Sequence, residues 1–309
     1  MITSISHLKS EYQRGISMEK LTKVRFSNLE KILFPQSPIR KAQVIEYYIR
    51  IAPKMLQYLK DRPLVTTRYP DGIDQKGFFE KNAPKGTPKW VETFTKYSET
   101  TNRNLNYIVC NNLDTLLWLA NLAALEIHIP LSKTDSYQKP DLLLFDIDPE
   151  PPSNINNAIE IAKILKENLD NLSLKSYPKT SGKKGLHIII PIIPKYSYKQ
   201  TREFVHQIGK QLAKENELVV SEFSKSQEPG TVYIDYLQNS QGRTMVAPYS
   251  IRPQKDAPVS TPLAWEQLQK GLKPQEFNIF SVVDIEPNPW ECFWENKQKL
   301  DVKKYATKS

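Results

Sequence analysis

Asp146 and Asp148 close a short apolar run, Leu142-Leu143-Leu144-Phe145, that lies between Pro140 and Pro149. Such a run fits a strand buried on both faces. In a strand, residues i and i+2 share a face, about 6.6 Å apart. Two neighbouring carboxylates repel unless positive charge sits between them, and a hard divalent cation bound by oxygen is the simplest source. The competing reading is an acidic turn after a strand, where Asp is common.

Two further stretches carry chemistry. Ser181-Gly182-Lys183-Lys184-Gly185-Leu186-His187 is a glycine-spaced loop entering a strand. Free backbone N–H groups, a hydroxyl and lysines can cradle phosphate oxygens. It is not a Walker A loop, because the spacing differs and a strand follows. A plain Lys-Gly hairpin turn is the alternative. His187 is either a satisfied structural histidine or, beside that loop, a phosphate contact. In Val232-Tyr233-Ile234-Asp235-Tyr236-Leu237 one carboxylate sits among apolar and aromatic residues, where an unpaired charge costs several kcal/mol. Asp235 is therefore salt-bridged or the third ligand of the site begun by Asp146 and Asp148. Three carboxylates can hold two divalent ions about 4 Å apart, as phosphoryl transfer requires. Arg243 and Arg252 follow downstream and suit a triphosphate. Phe78 and Phe79, flanked by charges, read as a shelf for a base or as core, with at least one expected inside.

The elements that position these groups are legible in outline. Periodicity predicts helices over 41–60, 113–125, 156–168, 198–216 and 262–272, with Pro53 kinking or restarting the first. Strands are expected at 64–69, 107–109, 126–130, 142–148, 172–177, 186–193, 218–220, 231–237 and 245–247, with 97–106 a loop. Alternation at 126–130 places Glu126 and His128 on one face. Strands outnumber crossover helices, so the expected class is α+β, not doubly wound.

Composition adds limits. The net charge of +9 suggests a polyanionic partner. No apolar segment approaches the 18 or so residues of a membrane span, and no export signal is evident. Cys110 and Cys292 form neither a metal pattern nor a disulfide framework, so a reducing cytoplasm is the expected setting. Residues 1–21 read as a loose arm, 22–296 as one catalytic domain, and 297–309 as a lysine-rich tail that frays.

In order and spacing, Asp146-Ile147-Asp148, the Ser181–His187 loop and Asp235 resemble the three motifs of the archaeo-eukaryotic primase superfamily. Linking phrases sharpen the likeness: Asn28-Leu29-Glu30-Lys31, Lys41-Ala42, Gly77-Phe78-Phe79-Glu80-Lys81, Leu125-Glu126-Ile127-His128-Ile129-Pro130, Tyr236-Leu237-Gln238-Asn239 and Ala247-Pro248-Tyr249-Ser250-Ile251-Arg252. These resemble the polymerase domain of bacterial ligase D, over residues 22 to about 272. The resemblance implies a primase-polymerase fold with a central mixed or antiparallel sheet flanked by helices. It implies nucleotide addition to a primer 3′ end at gaps or double-strand breaks, in non-homologous end joining. Asp146, Asp148 and Asp235 would bind two metal ions, manganese preferred and magnesium possible. His128, Ser181, Lys184, His187, Arg243 and Arg252 would hold an NTP or dNTP. A ribonucleotide preference would rest on a 2′-hydroxyl contact from Ser181 or His128. Lys31 and Lys41 would grip a downstream 5′-phosphate, and Phe78, Phe79, Lys81, Gln238 and Asn239 would face DNA.

One departure stands out. Relatives usually carry a basic residue before the third motif, where this chain reads Ser226-Gln227-Glu228-Pro229-Gly230. Lys225 or Arg243 is the expected substitute; otherwise nucleotide affinity falls. Ku and a separate ligase are the expected partners, and the nucleoid the expected place of work, with no membrane. Met1 favours a stand-alone polymerase over an excised domain. The alternatives are a non-catalytic end-binding or synapsis module, a replicative or plasmid-type primase, and, fitting least well, a metal-dependent nuclease or phosphatase.

Overall fold

The apolar run before the paired aspartates is a strand, Leu142–Pro149 (β8), in a computed structural model that describes residues 22–99 and 102–302. Its alternation divides two cores. Leu143, Phe145 and Ile147 point into one; Leu142 and Leu144 point into the other. A strand with both faces covered has no polar side to spare, which is why its sequence is continuous rather than alternating.

β8 is central in a five-stranded sheet. Its neighbours are Leu186–Pro191 (β10) and Val232–Ile234 (β12), both antiparallel to it. Tyr177–Thr180 (β9) extends the sheet beyond β10, and Val219–Val220 (β11) pairs in parallel with β12. Two amphipathic helices, Ile155–Asn171 (α3) and Tyr198–Glu215 (α4), cover one face. Side chains of Asn154 and Ser197 cap their first turns.

The opposite face looks toward a second, six-stranded antiparallel sheet. Its spine is Pro63–Arg68 (β3) beside Ala124–Ile129 (β7). Arg103–Val109 (β6) and Glu92–Ser98 (β5) continue the order on one side, and Met245–Val246 (β13) lies beyond β7. Phe78–Glu80 (β4) pairs with the later half of β3. Lys41–Leu59 (α1) and Leu113–Asn121 (α2) pack against this sheet. A two-stranded hairpin, Ile32–Phe34 (β1) and Ile39–Arg40 (β2), leads into α1.

The fold is α+β as expected, with two sheets where one central sheet was predicted. The polar stretch 97–106 is not a plain loop: it spans the end of β5 and the start of β6, whose polar residues face water in an antiparallel hairpin. The helix predicted to 125 stops at Asn121, because Ala123 turns with φ +56° and Ala124 enters β7. The strand predicted over 172–177 begins only at Tyr177. The helix predicted over 262–272 shrinks to a 3-10 turn, Trp265–Gln267, ahead of Gly271 at φ +89°. α1 runs unbroken through Pro53, whose ring is exposed. The expected fraying at 297 does not begin there. Gln298 N–H donates to Pro191 O, and Leu300 is buried with its N–H on the Tyr196 hydroxyl. The arm 1–21 and residues 303–309 lie outside the described residues. No helix among the described residues is long and apolar enough to cross a membrane.

Arg62 and Asp141 stitch the sheets together. Arg62 enters β3 and Asp141 enters β8; the side chains are 0% and 2% exposed and meet at 2.8 Å. Arg62 also reaches Pro130 O and stacks over Trp294. Removing one partner strands the other charge in the interior. Asp141→Ala is expected to destabilise the chain by about 3–5 kcal/mol, read as a lower midpoint in urea unfolding.

Candidate active site

Register brings the chemistry to one face of the five-stranded sheet. Asp146 lies opposite His187 on β10, His187 opposite Lys179 on β9, and Asp148 opposite Tyr233 on β12. Directly paired residues share a face. The row Lys179–His187–Asp146 therefore crosses the sheet on the side of Leu142 and Leu144, facing the six-stranded sheet. Asp235 follows β12, and its N–H donates to Asp146 O at 2.9 Å. All three carboxylates predicted as metal ligands thus meet at one sheet end.

Their environment is hostile to negative charge. Burial pushes Asp146 up to about 6, against the pull of Lys179 and Arg252. Burial and then the Asp146 charge raise Asp148, and the same two causes raise Asp235. A buried acidic cluster whose members repel one another is what hard cations relieve, so the donor set fits divalent metal. Among the described residues no three His, Cys, Asp or Glu side chains are gathered into a ready-made cage. Asp235 is engaged by its own turn: Leu237 N–H (2.9 Å) and the Tyr233 hydroxyl (3.2 Å) donate to Oδ1, and Gln238 Nε2 (3.2 Å) donates to Oδ2.

The phosphate loop is preorganised. Ser181 N–H donates to Gly185 O, while Ser181 Oγ accepts from Gly185 N–H at 3.1 Å and Lys183 N–H at 3.3 Å. Gly182 sits at φ +72°, where a Cβ would lie 2.5 Å from Arg252 Cγ. At Gly185 a Cβ would lie 2.5 Å from Ile147 O and 2.8 Å from Asp148 Oδ1. Glycine here lets the loop backbone press against the carboxylate strand. Lys184 extends outward to Glu150, 3.1 Å away.

The facing sheet supplies the other wall. Glu126 on β7 holds Arg252 at 3.2 Å, both nearly buried. His128 shares their face; burial first, then Arg252 and nearby cations, drives it down to about 3, so the ring is neutral near pH 7. Burial, then Lys179, likewise lowers His187; its Nε2 lies 3.2 Å from Asp146 Oδ1 and its Nδ1 has no partner. His187 is thus a neighbour of the carboxylates, buried like Ser181 and Arg252.

Phe78 and Phe79 are 53% and 60% exposed, so neither is core. Phe79 pairs with Thr67, which pairs with Glu126, so the shelf is two strands from the arginine wall. Phe79, Lys81, Lys85 and Arg103 line a groove of about 450 Å³. Lys31 and Lys41 converge at the base of the β1–β2 hairpin, where Lys41 N–H donates to Lys31 O. Lys41 Nζ donates to Ser27 O at 2.7 Å, and Lys31 meets Asp71. Burial, then the Lys31 charge, lowers Lys41 to about 8.

Other expected residues fall elsewhere. Asn239 is 0% exposed, so it does not contact DNA; its carboxamide bonds to the backbone of β8. Gln238 is committed to Asp235. Arg243 is exposed and lines a small cleft with Lys81, Tyr107 and Tyr137. Lys225 and Glu228 are exposed on the turn before β12. Sequence reasoning missed Lys179, wholly buried and bonded to the Ser260 hydroxyl; Lys183, in the expected loop, lies within electrostatic reach of Arg252 and Glu126. The alternation Lys179, Ser181 along one strand edge was the available signal for Lys179.

Comparison with known proteins shows what the chain is similar to. The family model for the LigD primase-polymerase domain matches residues 40–290. The bifunctional non-homologous end joining protein LigD of Bacillus subtilis is 35% identical over 281 residues, 89% of this chain and 45% of that protein. The multifunctional LigD of Mycolicibacterium smegmatis is 33% identical over 256 residues, 81% of this chain and 33% of that protein. The chain thus spans less than half the length of these relatives. A solved structure, the polymerase domain of Mycobacterium tuberculosis ligase D in complex with DNA, superposes with a TM-score of 0.81 at 26% identity, covering 89% of this chain and 99% of that one.

The close approach at Gly185 is testable alone. Gly185→Ala must push the loop off β8, and is expected to cost about 1–3 kcal/mol in urea unfolding.

Proposed function

The chain belongs to the LigD primase-polymerase domain family, and from that premise we propose that it adds nucleotides, ribonucleotides preferentially, to primer 3′ ends at DNA gaps and double-strand breaks during non-homologous end joining. The observation that carries the reading is the meeting of Asp146, Asp148 and Asp235 beside the Ser181–Gly185 phosphate cradle and across from Arg252. A bare end-binding module would have no need of three carboxylates there, one buried and two partly buried.

Asp146, Asp148 and Asp235 would hold two divalent ions, manganese by preference over magnesium. Such ions, when bound, lower the pKa of an attacking hydroxyl and offset phosphate charge. The chain's own groups do the rest. Backbone N–H groups of the loop, Lys184 and Arg252 take up the charge of the β- and γ-phosphates. Arg252 is paired with Glu126 at 3.2 Å, which limits the order lost on binding. Neutral His128 and the Ser181 hydroxyl face the sugar, where a 2′-hydroxyl can be read. The primer 3′-hydroxyl attacks the α-phosphate in line, and pyrophosphate leaves. Phe78 and Phe79 offer ring faces to the template and nascent base pair. Lys81, Lys85 and Arg103 give the DNA backbone a cationic groove. Glu228 is exposed in the segment before β12 where a cation is expected, so triphosphate affinity is expected to be lower than in relatives unless Lys225 or Arg243 reaches the phosphates. Ku, a separate ligase and a nucleoid-associated place in the cytoplasm complete the proposal.

Primer extension on a gapped, 5′-phosphorylated duplex with manganese tests the reading. Asp146→Ala combined with Asp148→Ala is expected to abolish extension while leaving gapped-duplex binding largely intact. Synthesis surviving in that double variant refutes the metal assignment.

Lys41 makes a separate prediction. With its pKa at about 8, the ammonium is charged on about nine-tenths of molecules at pH 7 and about one-tenth at pH 9. Only the charged form attracts phosphate, so the preference for a phosphorylated over an unphosphorylated gap should fall as pH rises through that range. Fluorescence anisotropy on the two gaps reads the ratio, and Lys41→Met should flatten the pH step. Equal binding to both gaps at pH 7 rules out the end-recognition role.

A further inference from the structure

β12 leaves the ladder just where the third carboxylate is needed. Ile234 pairs with Ile147, and Asp235 N–H still reaches Asp146 O at 2.9 Å. The chain then turns into a 3-10 helix, Tyr236–Asn239. Continued pairing would have set a strand residue beside Leu144, on the same edge of β8 two residues before Asp146. Instead the side chain of Asn239 takes that place. Leu144 N–H donates to Asn239 Oδ1 at 3.0 Å, and Asn239 Nδ2 donates to Leu144 O at 2.6 Å. A carboxamide carries one acceptor and a donor pair, so it reproduces the two bonds that a backbone residue would have made. Asn239 is 0% exposed, so water does not compete for either.

The same turn holds Asp235 at its other end. Asp235 Oδ1 caps Leu237 N–H, and Gln238 reaches Oδ2. From α4, the His206 ring stacks on Tyr236 at 3.8 Å and 8°. The turn is thus pinned to β8 at two points, Asp235 N–H on Asp146 O and the Asn239 carboxamide on Leu144. Both pins fall on the strand that carries the other two carboxylates.

We propose that Asn239 is a positioning residue: its carboxamide stands in for a missing strand residue at Leu144 and so fixes the spacing of Asp235 from Asp146 and Asp148. The kinetic consequence rests on the polymerase reading, but the clamp does not. Outer groups that orient ligands typically change metal affinity by about 10–100-fold when removed.

The test reads Mn²⁺ binding directly, from the electron paramagnetic resonance signal of free ion titrated with protein. Asn239→Ala is expected to weaken Mn²⁺ binding at least tenfold and to lower the maximal extension rate, with gapped-duplex affinity unchanged. Leu165→Ala, in the core under α3, supplies a control of general destabilisation that keeps wild-type Mn²⁺ affinity. An Mn²⁺ isotherm for Asn239→Ala that matches wild type overturns the proposal. So does a weakening shared by Leu165→Ala, or a loss of DNA affinity in step with it. Asn239→Asp keeps the acceptor and loses the donor, and carries the comparison if the alanine variant does not fold. In the unaltered protein, hydrogen exchange must find the Leu144 amide as protected as its ladder neighbours; a fast-exchanging Leu144 amide ends the proposal. Absence of Mn²⁺ binding in the unaltered protein counts against the metal reading, and exchange at Leu144 then decides the clamp alone.

Discussion

Everything in this protein answers to the burial of ionisable groups at the end of a strand that has no solvent side. β8 is covered on both faces, yet it ends in two carboxylates. Burial alone disfavours their charge, and their proximity compounds it. The chain responds by gathering cations within reach, Lys179 and Arg252 first, with no lysine or arginine among the described residues closing a direct ion pair on either aspartate. The result is a charge deficit held open. Full pairing would satisfy the carboxylates and leave nothing for a ligand to do.

The positive groups are kept from collapsing onto the acids by other commitments. Arg252 is held by Glu126, Lys184 by Glu150, and Lys179 by the Ser260 hydroxyl. His187 and His128 are kept neutral by burial among cations, so the buried wall carries less charge than its residue list suggests. Glycine does comparable work by subtraction. At Gly182 and Gly185 a single methyl group would collide with Arg252 or with β8, so the loop's amide groups can lie against the carboxylates only without side chains.

The two-sheet arrangement follows from the same constraint. A strand buried on both faces needs a layer on each, here α3 and α4 on one side and the six-stranded sheet on the other. The second sheet also carries what the first cannot, an exposed aromatic pair and a cationic groove, while Lys31 and Lys41 flank the separate two-stranded hairpin. The Arg62–Asp141 pair ties the entry of β3 to the entry of β8, so the two walls share a fixed reference at the strands that build the site.

What the chain's order of residues determined by itself was the set of groups and their local spacing. An apolar run ending in Asp-Ile-Asp, a glycine-flanked lysine pair and a lone Asp among aromatics are properties of short windows; the first two lie in the strand and loop their windows implied, while the strand expected over 231–237 ends at Ile234 and leaves Asp235 to cap a 3-10 turn. The direction of side chains across strands was not of that kind. Asn239 reads as a surface amide beside Gln238, and only the departure of β12 from the ladder turns it inward to bond Leu144. Phe78 and Phe79 look like half-core, and only the position of β4, paired along one edge alone, leaves both in solvent. Lys179 carries only the weak local mark of alternation with Ser181, and its partner Ser260 lies 81 residues away. The stretch 113–125 holds one continuous apolar signal, and the turn at Ala123 that converts its end to strand answers to pairing with β3. Local pattern sets which residues are present and how they repeat; pairing between distant segments sets which way they point, because register is a long-range contact that no short window contains.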